Sequence, residues 1–209
     1  MSRTSTGRRD AQKQRTRQAL LDEGLRLLDG QSLSSLGLRE VTRAVGVTPA
    51  AFYRHFRDTG DLGVALVDEA LGSLHALVRA VFAERRDPGE RIDRTVELIK
   101  EHVRAYPAHV RFIACERNGG VRPVRAAIAA QLERFTREVA GLLAAGPDAD
   151  AWSDEERHML AGLFVDQMVL TASAFLSAAQ GEGPDAEEVA RTARSRLRLI
   201  QLGRVHWPG

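Results

Sequence analysis

Apolar residues recur along this chain at spacings of three and four, and the breaks between runs fall on glycine, proline and helix-capping residues. Between about Asp10 and Asp29, Leu20, Gly24, Leu25 and Leu28 share one helical face, and Gly30 follows as a C-cap signal. Leu38 to Val45 forms a short segment closed by Gly46. Thr48 and Pro49 then supply an N-cap and a first-turn proline for a helix running to about Phe56. Thr59 opens a longer helix carrying Leu62, Leu66, Leu71 and Leu74. Asp87-Pro88-Gly89-Glu90 has the acid, proline and N3 glutamate of a capping box, and Ile92, Val96, Ile99 and Val103 keep the helical period until Pro107 stops it.

A short irregular or helical piece around Arg111 to Arg117 precedes a long amphipathic series of Val124, Ile128, Leu132, Phe135, Val139 and Leu142. Gly146-Pro147-Asp148 reads as a loop, and Ser153 with Glu156 as a second capping box. The run that follows, Met159 to Ala179, is apolar over 21 residues and ends at Gly181. It has the length of a membrane span. Asp166 and Gln167 stand near its middle, however, where the aspartate alone costs about 2.5–3.5 kcal/mol on an insertion scale. A helix buried on two faces of a soluble protein is therefore expected, with no membrane partner. Pro184 starts a last helix with Val189, Ala193, Leu197 and Ile200 inward. No stretch alternates with the period of a strand, so the expected class is all-α.

The 209 residues are 44% hydrophobic and 28% charged, which excludes wholesale disorder, a collagen-like chain and a disulfide scaffold. Cys115 is the only cysteine, so a reduced, cytoplasmic setting is expected. The first residues, MSRTSTGRRDAQKQRTRQ, have no apolar core of the kind a secretory signal needs, and no export is expected. Charge is divided unevenly along the chain. Residues 1–57 carry eleven lysines and arginines against five acids, while the remainder carries nineteen against twenty-three. A basic end on an acidic body fits a polyanion partner for the first segment, although a solvated face has the same signature. Lys13 and Lys100 are the only lysines, so arginine abundance by itself carries no functional weight.

The segment from Leu38 to Phe56 joins these two lines of reading. Two short helices about a glycine turn, in the basic part of the chain, have helix-turn-helix geometry, in which the second helix enters the DNA major groove. Helical hairpins that bind nothing share the pattern. The residues narrow the reading: LREVTRAVGVTPAAFYRHFRDTGDL, with the helix before it, strongly resembles the N-terminal domain of the tetracycline-repressor family of transcription regulators. The small-residue turn, the Thr-Pro helix start, Phe52-Tyr53-x-His55-Phe56 and Asp61-Leu62 match in register over some 45 residues. The resemblance implies an all-helical homodimer, with a helix-turn-helix DNA-binding domain and basic arm in residues 1–57. It places a ligand-binding and dimerisation domain in residues 58–209.

It also implies roles for particular residues on double-stranded DNA with a near-palindromic operator. Arg39 sits where family members touch DNA, and its guanidinium suits a guanine edge or a phosphate. Thr48 and the amides of the next turn suit a phosphate oxygen. Pro49, Ala50 and Ala51 present a small apolar edge able to meet thymine methyls but not to read hydrogen-bond patterns. Base choice is thus expected to rest on Arg39, Arg54 and the basic arm. Tyr53 and His55 match positions that hold the DNA backbone, and Phe52 and Phe56 are expected in the core.

Beyond the DNA-binding part, Arg111-Phe112 and the run Cys115 to Ile128 resemble the subfamily that represses unsaturated fatty-acid synthesis and senses long-chain acyl-CoA. Glu116, Arg117, Gly119 and Arg125 are the matching positions, and Pro123-Val124 departs from the subfamily pattern. An acyl-CoA sensor needs an apolar tunnel with cations near its mouth. Val96, Ile99, Val103, Phe112, Leu132, Phe135, Leu163 and Met168 are candidates for the tunnel. Arg111, Arg117 and Arg125 are candidates for the head group. The same apolar residues would serve a plain core.

Surplus apolar surface on the long helix, with Ala172, Ala174, Ala178 and Ala179 allowing close approach, predicts an isologous four-helix interface with the last helix. Ligand binding is expected to act by moving the helix that begins at Thr59. No enzyme pattern competes. There is no G-x-S-x-G elbow, Cys115 has no histidine partner by spacing, and the six histidines form no ligand pattern for a metal. No cofactor is expected. The alternatives left open are an efflux-gene repressor sensing lipophilic drugs and a ligand-independent DNA-binding protein.

Overall fold

The computed structural model describes residues 3–72, 74–75, 87–145 and 152–206, so the expected loop at Gly146-Pro147-Asp148 lies outside the described residues. All regular structure among the described residues is helical: α1 (Arg3–Leu27), α2 (Leu38–Val45), α3 (Pro49–Tyr53), α4 (Thr59–Gly72), α5 (Pro88–Ala105), α6 (Pro107–Glu116), α7 (Arg122–Ala144), α8 (Asp154–Ala179) and α9 (Ala186–His206). The protein is all-α.

The caps explain most boundaries. Gly46 closes α2 in the left-handed conformation at φ 74°, with its amide on the Arg43 carbonyl at 3.1 Å and the Val47 amide on the Thr42 carbonyl at 2.9 Å. That pair of bonds is the Schellman arrangement, which a residue with a β-carbon adopts only under strain. Ser153 and Glu156 form the full capping box of α8, the Ser153 amide donating to the Glu156 carboxylate at 2.9 Å and the Glu156 amide to the Ser153 hydroxyl at 3.3 Å. The cap of α5 is one-sided: the Asp87 carboxylate accepts from the Gly89 and Glu90 amides at 2.7 and 3.0 Å. Asp185 caps α9 in the same way through the amides of Glu187 and Glu188.

Four boundaries differ from expectation. Helix α1 begins at Arg3, two turns before Asp10, and no proline interrupts the polar stretch between them. Gly30 does not take a left-handed conformation. Helix α1 instead ends by tightening, the Asp29 amide reaching back three residues to the Arg26 carbonyl. Helix α3 stops at Tyr53 rather than near Phe56, its last turn likewise tightened by a 2.8 Å bond from the His55 amide to the Phe52 carbonyl. The piece near Arg111, expected as irregular or helical, is a ten-residue helix that starts earlier, at Pro107.

The chain divides into two compact units, neither a single continuous run. The first comprises Met1–Ala70 and Phe112–Ile128, the second Leu71–Arg111 and Ala129–Gly209. The resemblance puts the division at residues 57 and 58; packing groups the start of α4 and the segment 112–128 with the N-terminal residues. In the first unit Leu20, Val41, Phe52, Leu62, Leu66 and Val124 are fully buried. Helix α4 lies close on α1 at Gly24, where a β-carbon would stand 2.9 Å from the Leu62 side chain. In the second unit α5, α8 and α9 pack on one another around Val96, Val103, Phe175, Leu176, Val189 and Leu197.

Helix α8 is long and apolar enough to cross a membrane by length and composition. Its inner face holds Leu160, Val165, Phe175 and Leu176, with the Gln167 amide donating to the Thr171 hydroxyl at 3.1 Å. The expectation of burial on two faces is corrected: among the described residues Met159, Leu163 and Leu170, three residues recurring at helical spacing, stand 44–53% exposed. The physical reason is that α5 and α9 supply partners for only part of its circumference.

Candidate nucleic-acid interface

Helices α2 and α3 are each anchored by one inward edge, Val41 with Thr42 and Ala51 with Phe52. That leaves the remaining positions to solvent. Arg39, Thr48, Pro49, Ala50, Tyr53 and Arg54 are all exposed, and His55 is half-buried. The Thr48 hydroxyl oxygen accepts from the Ala51 amide at 3.2 Å, so its own hydrogen stays available to donate to a phosphate. Tyr53 meets Phe52 edge-to-face, with centroids 6.0 Å apart, and keeps 61% of its surface exposed. That contact orients the ring while its hydroxyl end faces outward.

The sequence reading left Lys13 and Arg17 out of the site, beyond counting them in a basic arm. The structure brings them to the end of α3. The Arg17 guanidinium lies 4.7 Å from the centroid of the Phe56 ring. Burial, then the charges of Lys13, Arg17 and Arg54, hold the His55 imidazole below its ordinary pKa of 6.5. Their i, i+4 spacing on α1 was the available signal; their destination was not. Asp61 caps the approach to α4 from below: it accepts from both the Arg57 backbone amide and its guanidinium, at 3.0 and 2.9 Å, which lowers its pKa.

His55 gives a pH prediction with a definite sign. A histidine depressed in the fold is neutral at pH 7, and the unfolded chain protonates first as pH falls below about 6.5, so its contribution to stability is lost going down through that window. A DNA phosphate beside the ring favours the imidazolium and reverses the sign for binding. Operator affinity at fixed salt is expected to rise several-fold from pH 8 to pH 6, and His55→Gln to flatten the profile. A wild-type profile already flat in that range would remove His55 from the interface.

The candidate ligand residues are distributed between the units. Phe112, Arg117 and Arg125 belong to the first; Val96, Ile99, Val103, Arg111, Leu132, Phe135, Leu163 and Met168 belong to the second. Val96, Ile99 and Val103 pack into the core shared by α5, α8 and α9. Phe135 is buried and stacked on the His75 ring at 4.0 Å, while Leu132, Met168, Arg111 and Arg117 are half-buried. Leu163 stands on the exposed stripe of α8, away from the interior. The Arg125 guanidinium donates to the Gly119 carbonyl in its own unit.

A Schellman turn between two short anchored helices, the second begun by Thr48-Pro49 and flanked by exposed cations, has the geometry of a helix-turn-helix. Residues 20–66 match the family described as bacterial regulatory proteins, tetR family. The fold agrees over most of the chain. A structure from Syntrophomonas wolfei assigned to the TetR-family transcriptional regulators superposes with TM-score 0.74 at 15% identity, covering 91% of this chain and 96% of that one. The fatty acid degradation regulator FadR from Bacillus halodurans gives 0.69 at 14% identity, over 87% and 94%. The transcriptional regulator FadR from Bacillus subtilis in complex with stearoyl-CoA gives 0.69 at 13%, over 88% and 96%.

Proposed function

We propose that the protein is a cytoplasmic, homodimeric repressor that binds a near-palindromic operator through α3 and releases or tightens on it in response to long-chain acyl-CoA. The observation that carries the DNA-binding part is the exposure of Arg39, Thr48, Tyr53 and Arg54 around a rigidly capped α3. The effector reading is supported by the Cys115–Ile128 motif and by a shared fold with a regulator crystallised with stearoyl-CoA. In the second unit, Ile99, Leu132, Phe135 and Met168 supply apolar surface for an acyl chain, and Arg111 supplies a cation for phosphate.

The test is fluorescence anisotropy on the upstream intergenic DNA and on a scrambled duplex, at fixed salt because phosphate contacts make affinity salt-dependent. Saturated and unsaturated acyl-CoA are titrated in parallel. Specific binding that shifts with acyl-CoA is expected; specific binding indifferent to it would move the effector to lipophilic drugs. Equal binding to scrambled DNA would leave a ligand-independent binder. Within the same assay, Arg39→Ala is expected to cost about 1–3 kcal/mol and relax discrimination at one base pair, whereas Tyr53→Phe weakens all sequences alike.

A further inference from the structure

Glu116 is the end residue of α6, is 2% exposed, and belongs wholly to the first unit. Its Oε1 accepts a buried hydrogen bond from the Leu33 backbone amide at 2.8 Å, across 83 residues of sequence. Its Oε2 has no hydrogen-bond partner among the described residues and lies against Gly119, where a β-carbon would stand 2.2 Å away. Leu33 sits in the connection between α1 and α2. Its side chain fills a cleft at Gly63 of α4, where a β-carbon would meet Leu33 at 2.4 Å and Val124 at 2.8 Å. Ser34 of the same connection lies against Gly120, with its β-carbon 3.4 Å from where a Gly120 β-carbon would stand. Thus one acceptor and one glycine of the segment 112–128 meet the turn that leads into the helix-turn-helix, and Gly119 packs against the acceptor itself.

A carboxylate is a costly way to fill buried space. With one of its oxygens unpaired, an apolar residue of similar size would stabilise the fold as well or better. The geometry gives this one a different task, since the Leu33 amide belongs to neither helix and has no helical carbonyl to bond. We propose that Glu116 is a positioning residue for operator binding: by holding the Leu33 amide it fixes the α1–α2 connection, and so the direction from which α2 and α3 are presented to DNA. Arg125, donating to the Gly119 carbonyl, keeps Gly119 in the place that leaves room for the carboxylate. The residues that resemble an effector motif therefore serve the DNA-binding unit directly. This inference rests on the DNA-binding part of the proposed function.

The test uses the full-length protein, with an operator selected by the wild type from random duplexes, and three variants: Glu116→Gln, Glu116→Ala and Gly119→Ala. Glutamine keeps an acceptor for Leu33. Alanine removes it, and the Gly119 β-carbon displaces it while leaving the glutamate in the chain. Hydrogen exchange at the Leu33 amide is expected to quicken on the order of tenfold or more in the two alanine variants, with operator affinity falling by a similar factor. Glu116→Gln should retain most of the wild-type values, and the thermal transition of the second unit should stay in place in all three. Unchanged Leu33 exchange in Glu116→Ala and Gly119→Ala would overturn the contact. Faster exchange with unchanged operator affinity would overturn the positioning role. A wild type that selects no sequence overturns the regulator reading instead, and is told apart because a failed latch leaves wild-type selection intact. If Glu116→Ala does not fold, Gly119→Ala and Glu116→Gln carry the same comparison.

Discussion

Phe52→Ala is expected to destabilise the first unit by about 3–5 kcal/mol and to abolish operator binding at 25 °C. Phe52 is fully buried, and it is the anchor of a helix only five residues long, which has no stability of its own in water. Its ring meets Tyr53 edge-to-face and Phe56 at 5.6 Å, so one deletion leaves a cavity and frees two neighbours, one of them a proposed phosphate contact. A single domain is typically stable by only about 5–15 kcal/mol, and the loss is a large fraction of that. Trp152 falls in the second unit, so a Trp207→Phe background lets its fluorescence report that unit separately. In a denaturant series, Phe52→Ala should bring forward the far-ultraviolet circular dichroism transition and leave the tryptophan transition where it was. Phe52→Leu should recover most of the difference. Coincident, equally shifted transitions would mean that the two units unfold as one.

The local parts of this architecture were legible because each is set by neighbours in sequence. Gly46, Thr48-Pro49, Ser153 with Glu156 and the spacing of Leu62 and Leu66 specify their caps and faces within one or two turns of chain. Gly30 shows the limit of such signals: glycine permits a left-handed cap, but a tightened last turn satisfied the same carbonyls. Periodicity identified which residues turn inward without saying toward what. Phe112 and Phe135, both read as candidates for a tunnel, are each buried, one in each packed unit. The bond from Leu33 to Glu116 had no sequence signal, since no spacing rule relates residues 83 apart. For α3, the exposure of Pro49 and Ala50 was readable because they are small and offer little apolar surface to bury beside the anchor Phe52; the approach of Lys13 and Arg17 was not, because it depends on how α1 packs.

Leu163→Glu combined with Leu170→Glu is expected to convert the protein to a folded monomer and to lower operator affinity by about 10²–10⁴-fold. Within the protomer these leucines are 49% and 53% exposed, and Leu199 and Leu202 of α9 are 68% and 55% exposed, so two packed helices of one unit both leave large apolar side chains in water. The groove between α8 and α9, lined by Leu170, Ala174, Val189 and Thr192 among others, holds about 160 Å³, too little for an acyl-CoA but suited to side chains of a second copy. An isologous interface would present every substituted position twice, so the double variant places four carboxylates in an apolar contact. The same substitutions should cost the monomer little, because exposed positions tolerate change. The loss on DNA follows from valency alone: a monomer reaches one half-site, and the second is no longer held nearby at high effective concentration. Sedimentation at micromolar concentration measures the first effect and anisotropy the second. A double variant that stays dimeric would put the interface elsewhere, and a monomer that still binds the operator at wild-type affinity would show that one copy of α3 suffices.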